Sequence, residues 1–192
     1  MAVTIDGTNG LTFNNGSTQS SAPALTLLAN ITPTAATTIQ SLNIFTSTYD
    51  NYLIIYDNIQ TSSNTGTCTL DMRFAVAGAV VSTTSYATLQ YTGLTSTLQT
   101  YSNLQYSAGT LDLNYGACSG YFYVLNTNST GTNTIKYAPG STVMPATTDV
   151  VGANGAAIMK TSSAISGFSM FLRNGVNFAA QGSVRVYGIA NS

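Results

Sequence analysis

The only carboxylate side chains of the chain are Asp6, Asp50, Asp57, Asp71, Asp112 and Asp149, because it contains no Glu. No two are adjacent. Two acids brought together from separate strands could form a glycosidase pair, with carboxyl groups roughly 5 to 10 Å apart. Scattered singly in a chain this poor in acids, they read instead as turn and surface groups. His is absent too, so no imidazole exists to serve as the base of a Ser-His-Asp or Cys-His arrangement, and histidine-ligated metals are excluded. Cys68 and Cys118 are the only cysteines, and their separation has no metal-ligand spacing. They read as reduced residues buried in strands. The alternative, a single bridge pinning two strands, requires Cα atoms within roughly 7 Å. The segment DGTNG, Asp6 to Gly10, shares the opening of a calcium loop but lacks the closing bidentate acid, so it reads as a turn. GANG, Gly152 to Gly155, reads as a loop, and no nucleotide-phosphate fingerprint opens a helix. The sequons at Asn15, Asn30 and Asn128 are expected by chance in a chain rich in Asn, Ser and Thr. No catalytic residue, cofactor or metal is expected.

Charged residues make up only 6% of the 192 residues and the net charge is −1, against about 25% charged in an average soluble protein. The polar surface must therefore be built from Ser, Thr, Asn and Gln. Such a surface gains little solubility from charge and suits a crowded, permanent assembly better than free diffusion. Arg73, Lys136, Lys160, Arg173 and Arg185 are scattered, whereas nucleic acid needs several cations facing its phosphates together; no nucleic-acid partner is expected. No apolar run approaches the roughly 20 residues that span a bilayer, and MAVTIDGTNG lacks the basic and apolar regions of a signal peptide. The expectation is a soluble, unprocessed product that does not insert into a membrane.

The elements that would position these side chains are strands. No segment keeps apolar residues at helical spacing, while β-branched and aromatic residues alternate between Gly, Asn and Ser clusters. Strands are expected near 37–45, 52–60, 68–76, 86–91, 101–106, 120–125, 134–137, 156–161, 168–173 and 183–189; ALTLLANI, residues 24–31, reads as a strand or a brief helix. In CTLDMRFAV, Cys68, Leu70, Met72, Phe74 and Val76 share a core face, with Asp71 and Arg73 on a solvated one. In GSVRVYGI, Val184 and Val186 point inward and Arg185 outward, with Tyr187 and Ile189 on the arginine's side. YLIIYDNI, residues 52–59, is apolar on both faces and is the candidate central strand. The fold class expected is all-β, an antiparallel β-sandwich of jelly-roll type over residues 25–192. Residues 1–24 form an extended N-terminal arm. Its turn signals DGTNG and NNGS separate Val3 and Ile5 from Leu11 and Phe13, which suit two short strands added to a sheet edge of a partner or of the body.

An internal echo, Tyr-x-x-Leu-Gln-Tyr, occurs at Tyr86 to Tyr91 and again at Tyr101 to Tyr106. Two paired strands of one hairpin account for it. The sharper alternative is a tyrosine-lined contact surface comprising Tyr86, Tyr91, Tyr101, Tyr106 and Tyr115, since tyrosine gives amphipathic contact area at low entropic cost.

The start MAVTIDGTNGLTFNNGSTQSSAP resembles the N-terminal arms of many tailed-bacteriophage tail-fibre and other virion structural proteins. The ending FSMFLRNGVNFAAQGSVRVYGIANS is similar to the last strands of β-rich domains in such proteins, including those of marine and cyanobacterial phages. The resemblance implies a symmetric virion part, a homotrimer by expectation, assembled in the host cytoplasm. Val3, Ile5, Leu11 and Phe13 of the arm would attach it to other virion proteins. A long fibre would carry a repetitive shaft, and this chain has none. A short tail fibre, a capsid decoration or cement protein, and a receptor- or glycan-binding knob all fit.

Overall fold

A computed structural model shows strands over most of the segments where apolar and polar residues alternate, although the one expected at 37–45 is the shorter Thr38–Ser41. It describes residues 4–6, 10–12, 18–19, 24–62, 70–82, 86–92, 95–101, 104–105, 117–131, 135–145, 150–172 and 175–190. The strands are β1 (Thr4–Asp6), β2 (Gly10–Thr12), β3 (Thr18–Gln19), β4 (Leu25–Ile31), β5 (Thr38–Ser41), β6 (Asn51–Ile59), β7 (Leu70–Val76) and β8 (Ala79–Val80). They continue with β9 (Tyr86–Thr92), β10 (Thr95–Tyr101), β11 (Leu104–Gln105), β12 (Cys118–Val124), β13 (Ile135–Pro145), β14 (Val150–Lys160), β15 (Gly167–Leu172) and β16 (Ser183–Ile189). Every pairing is antiparallel. No helix occurs among the described residues.

The body consists of an eight-stranded sheet, β10-β9-β14-β13-β12-β6-β16-β4, and a smaller sheet, β11-β7-β15-β5, with β8 paired to β7. Within these, β4-β16-β6-β12 and β5-β15-β7-β11 are the two halves of a folded-over hairpin. The first strand pairs with the last (β4 with β16), then β5 with β15, β6 with β12 and β7 with β11. That nested pairing, split between two sheets, is jelly-roll connectivity. The hairpins β9–β10 and β13–β14 are insertions that extend the larger sheet beyond β12.

The two sheets close on one core. Tyr52, Ile54 and Tyr56 of β6, Phe122 and Val124 of β12, and Val184 and Val186 of β16 meet Leu70, Met72 and Phe74 of β7 and Phe168, Met170 and Leu172 of β15. Phe45, in the loop after β5, stacks on Phe168 at 6.1 Å and tilts against Tyr52 at 4.5 Å, joining the sheets at one end. Fully burying each such side chain contributes about 1.5–3 kcal/mol before entropic costs.

Several expectations are corrected. Asp71 is fully buried rather than solvated, and it is partnered inside the protein. It stands opposite Phe171 of β15 and Gln105 of β11, so strands flank it on both sides. Arg73 lies 4.5 Å from the Phe171 ring centroid, a cation–π contact that covers the same outer face. The echo segments meet only at Tyr101 opposite Tyr86 among the described residues: Tyr86–Thr92 pairs with Thr95–Tyr101, Leu89 opposite Leu98, while Leu104–Gln105 pairs with β7 in the smaller sheet. GANG lies inside β14, not in a loop. There Gly155 faces Gly140, and a Cβ on Gly140 would meet the Tyr121 carbonyl at 2.6 Å. Glycine at that position permits β12 to approach, and pairing on both sides holds the strand despite poor local propensity. ALTLLANI forms a strand from Leu25, settling the open choice.

In the arm, Ile5 stands opposite Leu11 and Asp6 opposite Gly10, so the strands flank DGTNG as the turn signal predicts. They pair with each other and with β3, and among the described residues none joins either sheet of the body. Val3 and Phe13 lie outside the described residues, as do Cys68, Tyr106 and Tyr115. Cys118 is fully buried at the start of β12.

A tyrosine and arginine groove on the outer face of the larger sheet

The outer face of β6 should be dry if another layer covered it, and it should be polar if it faced water. It is neither. Leu53 is 9% exposed and Ile55 is half-buried, yet among the described residues no second sheet is stacked over them; neighbouring side chains on the same face shield them instead. The register sets these neighbours in rows across the sheet. Tyr121 of β12 and Arg185 of β16 stand directly opposite Ile55, one on either side. Tyr123 and Tyr187 flank Leu53 in the same way. With strands about 4.8 Å apart, the two rows place walls about 10 Å apart over an aliphatic floor.

Leu53, Ile55, Tyr121, Tyr123 and Arg185 line an open groove of about 570 Å³ along β6. Tyr121 and Tyr123 are 44% and 38% exposed, with ring centroids 5.9 Å apart and planes at 80°. They form an edge-to-face pair, a preferred aromatic geometry. Opposite them, the Arg185 Nε–H is buried with no hydrogen-bond acceptor. A buried donor left unpaired costs about 1–3 kcal/mol, so this is an expensive residue to keep in an apolar wall. Arg73, on the other sheet, differs because its guanidinium is engaged by Phe171.

A bulge lies at the groove's mouth. Between the pairs Tyr56–Gly120 and Ile59–Cys118, β6 carries Asp57 and Asn58 against the single Ser119 of β12. Asn58 takes the extra turn at φ 55°, a left-handed conformation that Asn tolerates better than most residues. The Ser119 hydroxyl accepts the Asn58 N–H at 3.0 Å and donates to Asp57 Oδ1 at 2.7 Å. The bulge thereby fixes the Asp57 carboxylate at the mouth, a common use of such irregularities. Gly182 packs under the bulge: at φ 79°, a Cβ there would meet the Asn58 carbonyl at 2.4 Å. The apolar face continues past the groove to the edge strand, where Leu27 lies opposite Tyr187 and is 54% exposed.

The groove's lining residues come from β6, β12 and β16, whereas the tyrosines singled out by the echo belong to segment 86–115. Tyr86 and Tyr91 sit five positions apart on β9, an odd spacing that assigns them to alternate sets of the strand. Tyr101 ends β10 opposite Tyr86. Of the arm residues, Ile5 and Leu11 are brought together across β1 and β2. Tyr121, Tyr123 and Asp57 were missed as site residues, although GYFYVL announces the pair by alternating two tyrosines against Phe122 and Val124. The outward placement expected of Arg185 holds. Among the described residues, no three acid or cysteine side chains are grouped to hold a metal ion, and no helix is long and apolar enough to cross a membrane. Comparison of the chain with family models, with curated proteins and with solved structures returns no match.

Proposed function

We propose that this chain is a non-enzymatic structural component of a phage virion, a short tail fibre or accessory protein held to the particle by residues 1–24. The observation that carries the reading is the division of labour between arm and body. Among the described residues the arm strands pair only with one another, and both sheets of the jelly roll form without them. An element that adds no strand to its own domain is available to other proteins. The low charge of the chain and the similarity of its arm to those of virion proteins support the same view. A homo-oligomer, a trimer by that similarity, assembled in the host cytoplasm, follows from it.

Deleting residues 1–24 tests the proposal. The truncated body is expected to keep its circular dichroism and melting transition while failing to enter particles. Normal incorporation of the truncated chain would overturn it.

A second reading, a receptor- or glycan-binding knob, is favoured by the Tyr121–Tyr123 groove, which has the size and apolar lining of a small-ligand site. A capsid decoration role is supported by the arm alone and separates from the fibre role by location in the particle.

A further inference from the structure

The groove along β6 combines three features that converge on one kind of ligand. Its walls offer two exposed tyrosine rings, on which the C–H face of a pyranose can pack. Its mouth holds Asp57 and Ser119, linked at 2.7 Å, an acceptor and a hydroxyl suited to sugar hydroxyls. Its opposite wall presents the Arg185 Nε–H, buried and without an acceptor. The guanidinium fork matches a carboxylate in two parallel hydrogen bonds. Because the charges of Arg185 and Asp57 offset each other, the site repels a monoanion less than a phosphate dianion. The groove volume of about 570 Å³ accommodates a few pyranose rings.

We propose that this groove binds a carboxylated sugar, a uronate or nonulosonate unit. The carboxylate meets Arg185, the ring packs against Tyr121 and Tyr123, and a hydroxyl is accepted by Asp57. A small shift of the Arg185 side chain toward the ligand would bring its Nε–H, which folding leaves buried without an acceptor, onto the carboxylate. This assignment does not depend on the virion role: it stands or falls on the groove alone.

The test is calorimetric titration of the full chain with two acidic probes, tetragalacturonate and sialyllactose, each beside a neutral counterpart, the methyl ester of the first and lactose. At least one acidic probe is expected to bind tenfold or more tightly than its counterpart, and to weaken as salt is raised. Arg185→Gln is expected to erase that preference without lowering the melting temperature, because it removes an unpaired donor. Tyr121→Ala should weaken acidic and neutral forms alike. The proposal is overturned if neither acidic probe binds, if acidic and neutral forms bind equally, or if Arg185→Gln leaves the preference intact. Self-association of the chain lost in Tyr121→Ala, with no sugar bound, would assign the face to a protein contact instead.

Discussion

Lys136 has no exposed surface, yet its ammonium donates to the carbonyls of Asn126, at 2.7 Å, and Ser129. It ties β13 to the loop following β12, where Thr127 and Asn128 bind back to Tyr49 and Asp50. The Asn128 amide, a sequon residue, is thus engaged in the fold. Burial holds the Lys136 ammonium below its ordinary titration range. Removing the cation would relieve its desolvation but leave two carbonyls without a donor. Lys136→Met is therefore expected to destabilise by about 1–3 kcal/mol in urea denaturation at neutral pH. A gain in stability would mean that desolvation outweighs the two bonds. Tyr52 titrates in the opposite sense. Its buried hydroxyl accepts the Thr46 N–H at 2.7 Å and donates to the Thr46 carbonyl at 3.0 Å, and burial raises its pKa above 10.0. A phenol with a raised folded pKa stabilises fully below the unfolded value, and that stability is lost as pH climbs through the folded value. The stability advantage of the wild type over Tyr52→Phe should accordingly narrow from about pH 10 upward. Denaturation at pH 8 and pH 11 measures it, and the Lys136 contribution cancels because both proteins carry it.

At the scale of elements, the β6 bulge is the feature on which the groove depends. Gly182→Ala would force a Cβ against the Asn58 carbonyl at a backbone angle that L residues rarely adopt. A loss of about 1–3 kcal/mol is expected from the strain, read as a lowered melting temperature. Asn58→Gly, which suits the same bulge, should cost far less. Much of this architecture was legible in the sequence. YLIIYDNI, apolar on both faces, names a central strand, and Val184 with Val186 names the inner face of β16, because period-two alternation assigns side chains to faces. The β13–β14 hairpin was legible only at its open end, in the strands expected at 134–137 and 156–161, and its remaining length was not. Pro139 and Gly140 interrupt the local pattern, and only pairing with β12 and β14 makes the segment a strand. Asp71 misled for a related reason: alternation predicts which face a residue takes, but not whether neighbours cover that face. The groove was half visible, in the Tyr121 and Tyr123 alternation and in outward Arg185. Their convergence over β6 is a property of register across three strands, which no single segment encodes.

Across the whole molecule, the jelly roll joins its earliest body strand to its latest. β4 covers the edge of β16 along Leu25 to Ile31, immediately after the arm. Two truncations separate arm from fold. Loss of residues 1–24 should leave the melting transition unchanged. Loss of residues 1–31 should expose the β16 edge and lead to aggregation, visible in size-exclusion chromatography. The low charge of the chain makes that edge more hazardous, since few charges oppose association. The central claim is that the arm anchors the chain while the jelly roll presents its outer face, and a reconstruction of particles bearing the chain tests it most directly. The account predicts residues 1–24 in contact with neighbouring virion proteins and the Tyr121–Tyr123 face turned toward solvent. Particles lacking the chain, or holding it through the jelly roll with the arm touching nothing, would contradict it.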